Sequence, residues 1–199
     1  MLAREVHGLT LTPADRVTLT RAGLLVGAAA LVLLRPGGAV WPALEGLAAQ
    51  MWAWVLLAQA VPMLVLDAVD GAVARRTVVT ARGARLDEET DAATVLVLAV
   101  AAAPVVGWWV LAAGLARYAF VTAGLVQPRL RRPLPYSLAR RVVAALQGPA
   151  LLTSVLVVAA PAVPVAVAVT ACAAALAALV WSFGRDVAYL FLGAYRGGP

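Results

Sequence analysis

The sequence predicts an all-α fold: an integral membrane bundle of six transmembrane helices with both termini cytoplasmic. Three observations predict it. Of the 199 residues, 63% are hydrophobic and only 13% charged, where soluble domains carry about a quarter charged. The apolar residues gather into runs long enough to cross a bilayer, which takes roughly 20 residues at about 1.5 Å rise each. Arginine, which supplies all of the positive side-chain charge because no lysine occurs, is distributed asymmetrically between those runs. Arg4, Arg16, Arg75 to Arg85, Arg129 to Arg141, Arg185 and Arg196 fall on one side, and Arg35 alone on the other. Such a bias marks the first side as cytoplasmic.

The first span covers about residues 17–34 and is broken by Arg35-Pro36-Gly37-Gly38. Its start, Arg21 followed by an apolar stretch, has the look of a signal peptide. No small-x-small cleavage site follows, so it reads as a retained helix. The second span covers about residues 44–74 and is free of charge from 46 to 66. The third begins near Asp87 and ends at Pro104, and the fourth covers about residues 105–126. Residues 142–184 carry no charge, enough for two spans, with Pro161 and Pro164 punctuating the hairpin between the fifth and sixth. The whole chain, residues 1–199, reads as one membrane domain without internal repeats.

Composition also excludes some functions. The net charge of +6 can signal nucleic-acid binding, but these arginines sit between apolar spans, where they serve topology and attract anionic lipid or phosphate. Nucleic acid is therefore excluded as a partner. The single Cys172 forms no intrachain disulfide, and the single His7 is no metal site by itself. Arginine-only, Ala/Val/Leu-heavy usage suggests GC-rich coding and a bacterial source.

The most informative segment joins the second and third spans. It reads Asp67-Ala-Val-Asp70-Gly71-Ala-Val-Ala74-Arg75, then Gly83-Ala-Arg-Leu-Asp87-Glu88-Glu89-Thr90-Asp91. Carboxylates at a membrane boundary are costly and usually functional. At about 100° per residue, Asp67, Asp70, Gly71, Ala74 and Arg75 fall within an arc of roughly 140° on one helix. Asp87 and Asp91 lie one turn apart on the next, with Glu88 and Glu89 pointing elsewhere. Two antiparallel helices thus bring four aspartates together. Their mutual repulsion calls for divalent cations, and an all-oxygen ligand set selects hard ions such as Mg²⁺, Mn²⁺ or Ca²⁺. Gly71 and Ala74 leave room for a ligand to approach the backbone, Arg75 offers a fork donor to phosphate, and Gly83 gives a connecting loop freedom to turn. Metal, phosphate ligand and base in one place point to metal-assisted phosphoryl chemistry. An isolated Asp-x-x-Asp at a helix end would be a solvated cap; the full constellation fixes eight positions over 25 residues.

At these eight positions the chain resembles the CDP-alcohol phosphotransferases (CDP-alcohol phosphatidyltransferases), membrane enzymes of phospholipid synthesis. The resemblance extends to a six-helix architecture. It implies a transferase that moves a phosphatidyl group from a CDP-linked lipid, usually CDP-diacylglycerol, to an alcohol, releasing CMP. It implies that Asp67, Asp70, Asp87 and Asp91 hold metal, Mg²⁺ or Mn²⁺ and two ions, with Asp91 also the catalytic base. Gly71, Ala74, Arg75 and Gly83 would serve the CDP moiety. It further implies a homodimer in the cell membrane, the active site facing the cytoplasm.

Relatives often carry Asn-x-x-Thr-x-x-Arg at the first span. Here Asp15 departs from that pattern, while Thr18 and Arg21 match it and are candidates for CDP binding. The competing reading is an Asp15 helix cap and an Arg21 that snorkels to the interface. Arg117, Arg140 and Arg141 are candidates for binding a phosphorylated acceptor, against the alternatives of snorkelling and the topology signal. Arg129, Arg131 and Arg132 read as a lipid-facing anchor, and Trp108 and Trp109 as an aromatic belt at the outer interface. Ser182 to Asp186 reads as an exposed polar end without a role. The acceptor stays open among glycerol 3-phosphate, inositol phosphate, inositol and serine, since Ala92-Ala93 replaces the basic residue that often follows the last aspartate in relatives. Two other classes compete: a Mg²⁺-dependent membrane prenyltransferase, which would need two separated Asp-rich motifs, and a non-enzymatic carboxylate-lined transporter subunit, which would not need Gly71, Ala74 and Arg75.

Overall fold

In the computed structural model the backbone is described for residues 13–35, 46–74, 81–132 and 134–192, and side chains for residues 17–35, 46–67, 85–132 and 134–191. The described residues form six α-helices: α1 (Pro13–Leu33), α2 (Leu47–Ala74), α3 (Ala81–Val106), α4 (Leu111–Val126), α5 (Leu138–Ala159) and α6 (Val165–Leu192). No strand occurs among the described residues. Among the described residues, five segments are long and apolar enough to cross a membrane: Leu47–Asp67, Arg85–Val106, Trp108–Val126, Leu138–Ala159 and Val165–Phe191. The apolar part of α1, Val17–Leu33, is shorter.

The helix boundaries differ from the sequence expectation in three places, each for a local reason. Helix α3 starts at Ala81, so Gly83 lies in its first turn and not in a turning loop. The same helix runs through Pro104 to Val106 and stops at Gly107, whose φ of 106° is open to glycine but strained for other residues. A proline near the end of a helix removes one hydrogen bond without blocking the next turn, whereas the left-handed glycine turns the chain into the 3₁₀ segment Trp108–Val110. Helix α1 starts at Pro13, a residue pre-set for the first helical position, so Asp15 lies inside the helix and not at the cap position. The hairpin at Pro161 and Pro164 falls where expected, between α5 and α6.

Helix α3 is central and packs on α1, α4 and α5. Its buried face is Leu98, Ala99, Ala101, Ala102 and Ala103. Small residues let helices approach closely, and dispersion rather than water exclusion holds them in lipid. Gly114 on α4 shows how close: a Cβ there would lie 2.6 Å from the Leu96 Cα of α3. Leu56, Ala60 and Met63 of α2 and Leu151 and Val155 of α5 complete the core. Outward-facing positions are large and apolar, including Val26, Met51, Trp54, Val65, Leu125 and Trp181. That inside-out distribution suits lipid as the solvent.

Polar side chains within the spans are tied to the backbone. Gln59 donates from Nε2 to the Leu24 carbonyl at 2.7 Å, linking α2 to α1. Gln147 donates to the Val143 and Ala175 carbonyls, both at 3.0 Å, linking α5 to α6. At the opposite end from the aspartates, Arg35 packs over the Trp52 ring at 5.2 Å. Burial lowers the Arg35 pKa from its ordinary value, and the group stays charged. Trp108 and Trp109 are both exposed near this end, as an aromatic belt requires.

Candidate active site

Asp67 ends the apolar stretch of α2, and Asp87 and Asp91 occupy the first turns of α3. Four residues of helix separate Asp87 and Asp91 by only about 40°, so both face one neighbour. One oxygen from each of Asp67, Asp87 and Asp91 lies within 4.8 Å of the others. Asp70, Gly71 and Ala74 lie on the α2 backbone within the last turns of that helix, and their side chains fall outside the described residues. Arg75 lies outside them altogether.

The three carboxylates converge on Arg21 of α1. Its Nη1 donates to Asp87 Oδ1 at 2.6 Å, its Nη2 lies 2.9 Å from Asp67 Oδ1, and Nη2 also donates to Asp91 Oδ1. Arg21 is only 1% exposed. A guanidinium at that depth is stable only when paired and hydrogen-bonded. Three carboxylates against one guanidinium leave two formal negative charges within this described group. Thr18, one turn earlier on α1, is buried beside it in sequence and in space on the same helix face. Thr90 and Thr94 back-bond to the Leu86 and Thr90 carbonyls at 2.8 and 2.7 Å, which satisfies their hydroxyls within α3.

The donor set fits a hard divalent cation. With metal–oxygen distances of roughly 2.0–2.6 Å for Mg²⁺ to Ca²⁺, oxygens on opposite sides of one ion lie about 4–5 Å apart. The carboxylate oxygens already fall within that span, and a resident guanidinium shows that the position favours positive charge.

The remaining arginine candidates have other partners. Arg117 of α4 donates from Nη2 to Glu88 Oε2 at 3.1 Å and to Glu89 Oε1 at 2.8 Å. It therefore grips α3 on a side turned away from Asp87 and Asp91. Its Nε is buried without a hydrogen-bond partner among the described residues. Arg140 pairs with Asp186 through two hydrogen bonds, of 2.7 and 3.1 Å. Arg141 is exposed, with the Tyr136 hydroxyl 3.5 Å away. Arg131 donates to the Gly124 carbonyl at 2.6 Å, and Arg129 stacks over Phe191 at 5.7 Å.

Within the segment expected to be an exposed polar end, two polar residues are buried. Ser182 and Asp186 are 2% and 7% exposed, inside α6. Asp186 is kept there by Arg140, and Arg185 donates to Ser137 Oγ at 2.9 Å. Ser137 itself caps α5 by accepting from the Arg140 backbone N–H. The available signal was Asp186 itself, an acid two residues past a long apolar run, which needs a partner in that setting.

The family model of the CDP-alcohol phosphatidyltransferases matches residues 11–182, most of the chain. The chain belongs to this family, whose members transfer a phosphatidyl group from a CDP-alcohol to an acceptor and use a divalent metal. With its long apolar helices it is a multi-pass membrane protein. Comparisons with curated proteins and with solved structures return no match.

Proposed function

We propose that the protein transfers the phosphatidyl group of CDP-diacylglycerol to an alcohol, with CMP as the leaving group. The observation that carries this reading is the convergence of Asp67, Asp87 and Asp91 from two helices at one end of a lipid-exposed bundle, in a chain of this family. Lipid tails of the donor stay in the bilayer there, and the cytidine is reached from water. Six spans with both termini cytoplasmic, and the site at the cytoplasmic face, follow from the arginine asymmetry.

Asp67, Asp70, Asp87 and Asp91 would hold Mg²⁺ or Mn²⁺, as one or two ions. Bound there, a divalent ion neutralises developing charge on the phosphates. Asp91 accepts the proton of the acceptor hydroxyl. The hydroxyl oxygen forms a bond to the phosphorus that carries the diacylglycerol. The bond from that phosphorus to the bridging oxygen breaks, and CMP departs with the electron pair. Gly71, Ala74, Arg75 and Gly83 line the CDP moiety, with Thr18 and Arg21 approaching from α1. For a phosphorylated acceptor such as glycerol 3-phosphate or inositol phosphate, exposed Arg141 offers positive charge, while Arg117 and Arg140 would serve only by leaving their acidic partners. A homodimer fits the family.

The test is CMP release by the detergent-purified protein with Mg²⁺ and CDP-diacylglycerol, against glycerol 3-phosphate, inositol phosphate, inositol and serine. Metal-dependent CMP with one acceptor supports the reading and names the alcohol. No metal-dependent CMP with any of them overturns it.

A further inference from the structure

Arg21 is the most deeply buried charged side chain among the described residues, at 1% exposure. It comes from a third helix, α1, while the carboxylates it touches come from α2 and α3. It uses two nitrogens to reach the Oδ1 atoms of Asp67, Asp87 and Asp91 at once. The carboxylates that offer oxygens within 4.8 Å of one another are thus the ones that already meet a guanidinium.

Two consequences follow from charge alone. Without a cation, the three partly exposed carboxylates would repel each other at short range, and Arg21 is what relieves that repulsion among the described groups. With a divalent cation among the same carboxylates, a guanidinium in the same place faces a like charge at short range, and its role as counter-ion is gone.

We infer that Arg21 is an exchangeable counter-ion of the carboxylate triad. It holds Asp67, Asp87 and Asp91 together in the metal-free protein and gives way when a divalent cation takes the site. Its guanidinium is then available, still beside the site, as a fork donor to phosphate oxygens of the donor. The inference rests on the metal reading under Proposed function. It adds that α1 sets the affinity for the ion. A flexible arginine stem permits this exchange, because the head can move several ångströms while Thr18 and the α1 backbone stay in place.

Exchange makes a signed prediction through linkage. If Arg21 and the cation compete, removing Arg21 must tighten cation binding and, equally, destabilise the cation-free protein. A merely structural Arg21 predicts the opposite sign, since loosened carboxylates ligate less well. The probe is Mn²⁺ alone, titrated calorimetrically and by its electron spin resonance signal into the full chain in detergent, without donor or acceptor. Arg21→Met keeps the stem and removes the charge. It is expected to bind Mn²⁺ at least about fivefold tighter than the parent, to melt lower without metal, and to gain more thermal stability from Mn²⁺. Arg21→Lys, which keeps the charge but replaces the two-nitrogen fork with a single ammonium of shorter reach, is expected to bind more tightly than the parent and less tightly than Arg21→Met; it carries the test if Arg21→Met does not fold. Parental binding that is lost in Asp91→Asn, but is no tighter in the Arg21 variants, overturns the exchange and leaves the metal reading standing. Absence of Mn²⁺ binding in every protein overturns both.

Discussion

Arg140 and Asp186 stand 46 residues apart and meet as a two-bond pair that ties the start of α5 to the end of α6. Asp186 is 7% exposed and accepts both of these bonds inside the bundle. Asp186→Ala should lower stability by about 1–3 kcal/mol, read as a lower melting temperature in detergent. Arg140→Gln leaves the buried acid with fewer donors and should cost a comparable amount. The double variant should lose much less than the sum, which a double-mutant cycle measures.

Gly114, Gly148 and Gly23 should respond to alanine in three different ways. A Cβ at Gly114 meets the Leu96 backbone at 2.6 Å, so α3 and α4 must part; Gly114→Ala should cost about 1–3 kcal/mol. At Gly148 the near atom is the end of the Leu64 side chain, at 2.7 Å, which can rotate; the effect should stay within about 1 kcal/mol. At Gly23 nothing among the described residues lies within 4 Å. There alanine should stabilise the helix by about 0.5–1 kcal/mol. Melting curves of the three variants check the order.

Arg117 bridges two exposed glutamates and leaves its own Nε without a partner among the described residues. Exposed pairs of this kind contribute roughly 0.2–1 kcal/mol each. Arg117→Met should therefore be mild. Glu88→Gln with Glu89→Gln should be at least as damaging, because it leaves a guanidinium uncompensated inside a span. Adding Arg117→Met to that double variant should recover stability. A rise in KM for a phosphorylated acceptor in Arg117→Met would add the acceptor role proposed above.

Asp91→Asn should lower turnover by about 10²- to 10⁴-fold and leave CDP-lipid binding largely intact. CMP release at saturating substrate, with binding measured separately, checks both halves. Undiminished turnover would remove Asp91 as the base.

Much of the site was legible in the sequence because its spacing is local. Asp87 and Asp91 share a face by helical geometry, and the run from Asp67 to Asp91 crosses a single connection. The partner of those acids was not legible. Arg21 lies 66 and 70 residues from Asp87 and Asp91, and its position read equally well as nucleotide contact or snorkelling. Asp186 was misread as exposed for the same reason, since Arg140 reaches it only through the packing of α5 on α6. Helix ends were partly legible. Pro161 and Pro164 marked a real break, while Pro104 did not, because the break needed the positive φ of Gly107.

Composition, apolar run lengths and arginine placement by themselves determined an all-α membrane chain, and eight spaced residues determined its family chemistry. Those properties depend on neighbours along the chain and on how each segment partitions between lipid and water. Tertiary structure alone decided that three helices share one charge cluster, with Arg21 as its counter-ion, and that Arg117 and Arg140 have acidic partners. Such pairings depend on which helix faces meet, and that is set by close packing at Gly114, Gly148 and the α3 alanines, where no local pattern in the sequence records the partner.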